Sequence, residues 1–262
     1  VDIDTKPLIQ VEDVTIAYGD FVVVKDINFE VRQGEIFVIL GGSGCGKSTL
    51  MKNIIGLFRP VAGKVLIDGK NIVTAKGAEL REILSGIGVM YQNGALFGSM
   101  TILENILLVL EEFTSLPRDA MELVANMKLK VVGLEDSGYK MPSELSGGMR
   151  KRAAIARAMA LDPKIIFLDE PGAGLDPITS AQLDELILNL SRSLEITFVI
   201  VTHELHSIFA IADRVIMLDK NTRTIVAAGS PDELRDKSPN PWVRQFFNRR
   251  AEADAPGQIS RV

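Results

Sequence analysis

The stretch LGGSGCGKST at residues 40–49, entered straight from the apolar run EIFVIL, constrains this chain more than any other feature. Glycine loses more conformational freedom on folding than any other residue, so four of them in so short a span need a physical reason. Gly41, Gly46, Lys47 and Ser48 fit G-x-x-x-x-G-K-[ST], with an apolar strand pattern before them and the helical pattern KSTLMKNIIGLF after. Without Cβ atoms in the way, the backbone of Gly41, Gly42, Ser43, Gly44, Cys45 and Gly46 can curl until its N–H groups converge on phosphate oxygens. The positive end of the following helix assists. Lys47 is then placed to neutralise the β and γ phosphates, Ser48 to offer a hydroxyl to Mg²⁺, and Thr49 to bond the α phosphate. A plain Gly/Ser turn is the alternative, and it leaves the flanking strand and helix patterns unexplained.

A phosphate loop needs a carboxylate to orient the metal, and IIFLDE supplies Asp169 at the end of an apolar run, with Glu170 next to it. Glu170 is placed to polarise an attacking water or accept its proton. The chain alternates between such runs and helical patterns. IFVIL, KIIFLDE, ITFVIVTHE and DRVIMLDK read as strands buried on both faces, separated by GMRKRAAIARAMALD and ITSAQLDELILNLSRSL. Strand, helix, strand in that order predicts an α/β fold with a mainly parallel sheet. Near the start, VEDVTIAYGD, KDINFEVRQGE and GKVLIDGKNI alternate with period two, as in half-buried antiparallel strands. From about residue 92 to 142 the pattern turns helical, through MTILENILLVLEEF and RDAMELVANMKLKVVGL, and reads as an inserted helical lobe.

Composition narrows the classes. With 47% apolar and 24% charged residues the chain is globular rather than disordered. A net charge of −5 gives no support to nucleic acid as partner, so Arg150, Lys151 and Arg152 are expected on a solvated helix face. The opening VDIDTKPLIQ lacks a basic region followed by an apolar core, and no apolar run reaches bilayer length. One cysteine, Cys45, suits a reducing compartment and is expected as a tolerated loop residue. The ending ADAPGQISRV reads as a loose tail.

Over about residues 8–235 the sequence resembles the ATPase subunits of ABC transporters, with several motifs in the family's order. Gln92 in MYQNGALF matches the Q-loop glutamine, and LSGGM at 145–149 the signature. Asp176, ending AGLD, matches the D-loop, and His203 in VTHE the switch histidine. Tyr18 occupies the position that stacks on adenine, although it reads equally as a half-buried strand residue. His206 matches nothing in the family pattern. Met149 stands where the signature usually has glutamine, and Gly42 where the phosphate loop commonly has proline.

The resemblance implies an ATPase that uses ATP and Mg²⁺. It assigns Glu170, His203 and Gln92 to catalysis, Ser48, Gln92 and Asp169 to the metal, and Tyr18, residues 41–49, Ser146, Gly147, Gly148 and Asp176 to the nucleotide. It implies a P-loop NTPase core with an N-terminal antiparallel β subdomain and a helical subdomain at about 92–157, within an ATPase domain of residues 1–240 followed by an extension over 241–262. In the family two such domains pack head to tail, the signature of one closing on the γ phosphate held by the other, so a homodimer on an integral membrane permease is expected.

QNGALFGSMTILENI, MPSELSGGM and PWVRQFF further resemble the Mla-type branch, which drives phospholipid transport between bacterial membranes and in which a signature methionine is common. That branch implies the cytoplasmic face of the inner membrane, a lipid-binding substrate protein and a small accessory subunit. Importers of amino acids or metal ions, and lipoprotein release, are the alternatives within transport. Non-transport relatives usually carry a long coiled-coil insertion or two cassettes, and neither is present. Trp242, Phe246 and Phe247 recur at i, i+4 and i+5, a face suited either to the partner ATPase or to the chain's own core.

Overall fold

The computed structural model describes residues 7–248, so the opening VDIDTK and the tail ADAPGQISRV lie outside the described residues. Along the chain run β1 (Ile9–Tyr18), β2 (Phe21–Val31), β3 (Ile36–Gly41), α1 (Lys47–Ile54), β4 (Ala62–Ile67), β5 (Lys70–Asn71), α2 (Gly77–Ser85) and β6 (Ile87–Met90). Three helices follow, α3 (Ile102–Phe113), α4 (Arg118–Val131) and α5 (Gly147–Ala158). Then come β7 (Ile165–Asp169), α6 (Pro177–Leu194), β8 (Thr197–Val201), α7 (Leu205–Ile211), β9 (Arg214–Leu218), β10 (Ile225–Gly229), α8 (Pro231–Lys237) and α9 (Pro241–Phe247).

Six strands form one sheet in the order β10-β9-β3-β8-β7-β6, parallel throughout except for the β10 edge. A smaller antiparallel sheet has the order β2-β1-β4-β5. The apolar runs β3, β7 and β8 are buried at every position. Their period of two divides the core between the two faces of the sheet. Ile36, Val38 and Leu40 of β3 pack with the helical lobe, α6 and α7, while Phe37 and Ile39 pack with α1 and the antiparallel sheet.

Local sequence explains the element ends. The pattern KSTLMKNIIGLF predicts helix to Phe58, but α1 stops at Ile54. Gly56 takes φ +77° and donates to Asn53 O, while Leu57 N–H reaches back to Lys52 O, the paired bonds of a Schellman stop. Thr101 and Glu104 form a reciprocal capping box that starts α3. The four-residue strand β6 gives little signal in the sequence. Its Gly88 lets α5 lie against it, since a Cβ there would sit 2.3 Å from the Ala158 carbonyl oxygen.

The aromatic face at the end of the described chain packs on the chain itself. Val243 and Phe247 of α9 are buried, and Phe247 meets Phe209 of α7 edge-on at 5.9 Å, while Trp242 stays partly exposed. Among the described residues no helix is long and apolar enough to cross a membrane.

Candidate functional site

The phosphate loop leaves β3 at Gly41 and ends where Lys47 begins α1. A Cβ on Gly41 would lie 2.6 Å from the backbone oxygen of Leu218 in β9, so only glycine fits this crossing. Gly46 has φ +99°, and a Cβ there would press within 2.9 Å of Val23 in β2. The loop is therefore wedged between the two sheets. Lys47 Nζ donates to the carbonyls of Gly41 (2.8 Å) and Gly42 (3.2 Å), which holds the ammonium over the loop. Cys45 is buried, and burial pushes its thiol above the ordinary value, which leaves it inert as a nucleophile.

Parallel strands bring the other groups to the same edge. β7 lies two strands from β3, and its last residue, Asp169, accepts a 3.0 Å hydrogen bond from Ser48 Oγ. Burial raises the Asp169 carboxyl, the Ser48 hydroxyl opposes that shift, and the neighbouring Glu170 charge adds to it. Two hard oxygen donors at the mouth of the loop fit Mg²⁺, which binds through one or two protein oxygens and takes its other ligands from phosphates and water. No group of three or more His, Cys, Asp or Glu side chains among the described residues could form an all-protein metal cage.

Glu170 follows Asp169 with φ +48°, a left-handed conformation that a non-glycine residue holds only at some cost. The bend turns its carboxylate onto His203, whose Nδ1 lies 2.9 Å from Oε1 and 3.0 Å from Oε2. His203 comes from the loop after β8, the strand between β3 and β7. His206 is the second residue of α7 and is no partner in this hydrogen bond. Gln92 follows β6, which is in register with β7, so it emerges beside Asp169 and Glu170.

Other predicted residues lie apart. Tyr18 is exposed at the β1–β2 hairpin, paired in register with the equally exposed Phe21. Phe21 escaped the sequence reading, and its position opposite Tyr18 follows only from the register. Ser146 caps α5 by accepting from Met149 N–H at 3.3 Å. With Gly148, Met149, Arg152, Thr179, Glu135 and Asp136 it lines a separate cavity of about 500 Å³ that contains no phosphate-loop residue. The Met149 side chain packs partly on the larger core. Asp176 caps α6, accepting from Ile178 and Thr179 N–H at 3.0 Å and from Thr179 Oγ1 at 2.5 Å. The Thr179 hydroxyl above all holds that carboxyl below the usual range.

One expectation is overturned. Lys151, read as part of a solvated basic face, is only 7% exposed. Its ammonium donates to the carbonyl oxygens of Gln92 and Glu170, the latter at 3.2 Å. A three-residue basic run carries no sign of which member points inward; the helical phase of α5 decides it. Asn105 also escaped notice. Fully buried on α3, it fixes the loop after Gln92 by accepting from Phe97 N–H and donating to the carbonyls of Phe97, Met100 and Thr101.

Residues 24–173 match the family described as ABC transporter. The chain is 40% identical to the Escherichia coli (strain K12) "Intermembrane phospholipid transport system ATP-binding protein MlaF", over 95% of this chain and 91% of that one. It is 41% identical to the Mycobacterium leprae "Probable ribonucleotide transport ATP-binding protein mkl", over 92% of this chain and 69% of that one. Among solved structures, cbiO1 from Clostridium perfringens, part of the ABC transporter complex cbiONQ, matches with TM-score 0.80 and 30% identity, covering 88% of this chain and 91% of that one. The ATP-binding cassette MJ0796, as a dimer bound to ADP and Pi, matches with TM-score 0.76 and 31% identity, covering 85% and 98%.

Proposed function

This chain belongs to the ABC transporter family as an ATP-hydrolysing subunit, and on that premise we propose that it powers phospholipid transport between two bacterial membranes. The observation that carries the cargo is the 40% identity to the phospholipid-transport protein MlaF over 95% of this chain, joined by the Mla-type segments QNGALFGSMTILENI, MPSELSGGM and PWVRQFF. The relatives named for ribonucleotide transport are as similar, at 41% identity over 92% of this chain, and supply the second reading.

The chemistry proposed follows from the grouped side chains. Lys47 and the loop N–H groups hold the triphosphate; Ser48 and Asp169, with Gln92 beside them, hold Mg²⁺, which supplies charge neutralisation on the phosphates. Glu170 orients water and takes its proton, and His203, bonded to that carboxylate, sits at the same edge to contact the γ phosphate. Tyr18 stacks on the adenine. The cavity lined by Ser146 and Gly148 contains no phosphate-loop residue of the same chain, which supports the use of Ser146, Gly147 and Gly148 on a second copy. Two chains then sandwich two nucleotides, Asp176 lying between them, and hydrolysis removes the group that favours closure. The exposed Phe97 and its neighbours offer the contact to a membrane permease on the cytoplasmic face of the inner membrane. A lipid-binding protein and a small accessory subunit complete the proposed complex. Residues 1–240 act as the ATPase domain, with 92–157 as its helical subdomain and 241–262 as an extension.

The test is to purify the chain with its native membrane partners and follow labelled phospholipid between donor and acceptor vesicles. Transfer that needs hydrolysable ATP and is lost in Glu170→Gln is expected. ATP-dependent ribonucleotide uptake with no lipid movement would replace this reading with the second one.

A further inference from the structure

Helix α5 is capped by the signature serine, and two of its four cations, Lys151 and Arg157, lie six residues apart. Both side chains turn toward one loop, the segment after Gln92. Lys151 bonds the Gln92 carbonyl, and Arg157 donates to the carbonyls of Ala95 (2.6 Å) and Gly94 (3.0 Å). Gly94 and Ala95 have φ +75° and +49°, so two successive residues are held in left-handed conformations at the point the arginine grips. Lys151 also bonds the carbonyl of Glu170, itself at φ +48°. One ammonium thus joins the segment bearing Gln92 to the segment bearing Glu170, and both to the helix that starts at Ser146.

Burying an ammonium is expensive unless its donors and its charge are both answered. Here two donors meet carbonyls, and Asp169, Glu170 and Glu204 surround the charge; burial works against it and those three carboxylates work for it. An uncharged side chain of the same length would take the Lys151 donor from the Gln92 carbonyl, leave the Glu170 carbonyl with Ala173 N–H alone, and remove a cation that Asp169, Glu170 and Glu204 attract. A structural tie could be made anywhere along α5. This one lands on the two segments proposed to sense the γ phosphate and to activate water.

We infer that Lys151 is a positioning residue for hydrolysis: through the backbones of Gln92 and Glu170 it sets both side chains at the γ phosphate and couples them to the signature helix. Arg157 is its second anchor and keeps the loop with the helical lobe. The inference rests on the roles proposed above for Gln92 and Glu170.

The experiment compares Lys151→Met and Lys151→Arg, alone and combined with Gln92→Ala, in the chain assembled with its membrane partners, measuring kcat, KM for ATP and Tm. Lys151→Met is expected to lower kcat by about ten- to a hundredfold with KM within about threefold, since misplaced groups cost turnover more than binding. Lys151→Arg, which keeps the donors and the charge, is expected to restore most of it. In the Gln92→Ala background Lys151→Met is expected to cost about threefold less than alone, because there is no glutamine side chain left to position. Wild-type kcat in Lys151→Met, equal loss in Lys151→Arg, or strictly additive effects would overturn the inference. If Lys151→Met fails to assemble, Lys151→Gln, which keeps a donor without the charge, takes its place under the same criteria. Full turnover in Gln92→Ala and Glu170→Gln would instead overturn the roles on which the inference stands.

Discussion

The Nδ1 atom of His203 lies 2.9 Å from the Glu170 carboxylate, although the two residues come from different strands and Glu170 is bent into a left-handed conformation to meet it. A buried carboxylate is therefore oriented by a histidine from the end of β8, on the sheet edge that carries the phosphate loop. Glu170→Gln is expected to retain ATP binding and to lose turnover by about a hundredfold or more, the scale of a general base. His203→Ala should lose turnover as well, and the double variant should fall well short of the product of the single losses, because the pair acts as a unit. Phosphate release and nucleotide binding on the same preparations check this.

Ser48 and Asp169 make a pair with a stability cost. Burial raises the Asp169 carboxyl, so the folded state holds that proton more tightly than the unfolded chain does. Its contribution to stability is largest below the ordinary carboxylate range and is lost as pH rises through the raised value, leaving the ionised group a penalty at neutral pH. Asp169→Asn is expected to raise the Tm of the metal-free protein at pH 7, by about 2–4 °C for each kcal/mol relieved, and to shrink the loss of Tm between pH 4 and 7. The same variant should lose Mg²⁺-dependent turnover. Thermal melts across pH with EDTA, beside ATPase assays with Mg²⁺, read both effects.

How far the site could be read from the sequence varied with how local each residue's role is. The phosphate loop, Asp169 and the buried strands β3, β7 and β8 were legible because a glycine spacing and unbroken apolar runs are contiguous signals. α1 ran four residues short of its pattern because Gly56 closed a Schellman stop that the apolar spacing concealed. Lys151 was misread as solvated and Asn105 was missed. Lys151 meets backbone carbonyls brought close by tertiary packing, and Asn105 meets the backbone of the loop just before its own helix; no spacing of side chains records either. Phe21 lies opposite Tyr18 only by hairpin register.

The signature helix and α6 meet at Gly148 and Thr179. A Cβ on Gly148 would sit 2.5 Å from Thr179 Cγ2, and the Thr179 hydroxyl is tied to Asp176, so the methyl cannot rotate aside without breaking that bond. Gly148→Ala is expected to lower ATPase activity by about tenfold or more, on the scale of displaced catalytic geometry. Adding Thr179→Ser, which removes the methyl and keeps the hydroxyl, should recover most of the loss. Activity and Tm of the four variants in the cycle check it.

The loop fixed by Asn105 presents Phe97 half exposed beside the buried Gly94. Phe97→Glu is expected to leave the ATPase activity of the isolated chain unchanged and its stability within about 0.5 kcal/mol of wild type, as for other exposed positions. It should release the chain from its membrane permease on purification. Retained co-purification and coupled activity would remove this loop from the docking surface.

The most direct test of the whole account is the sedimentation of Glu170→Gln with and without saturating ATP and Mg²⁺, alone and with its native membrane partner. Nucleotide shared between two copies requires the variant to shift from monomer to dimer when both are added, and Lys47→Ala in the same chain to abolish the shift. A variant that binds the nucleotide yet stays monomeric in every one of these conditions contradicts the account.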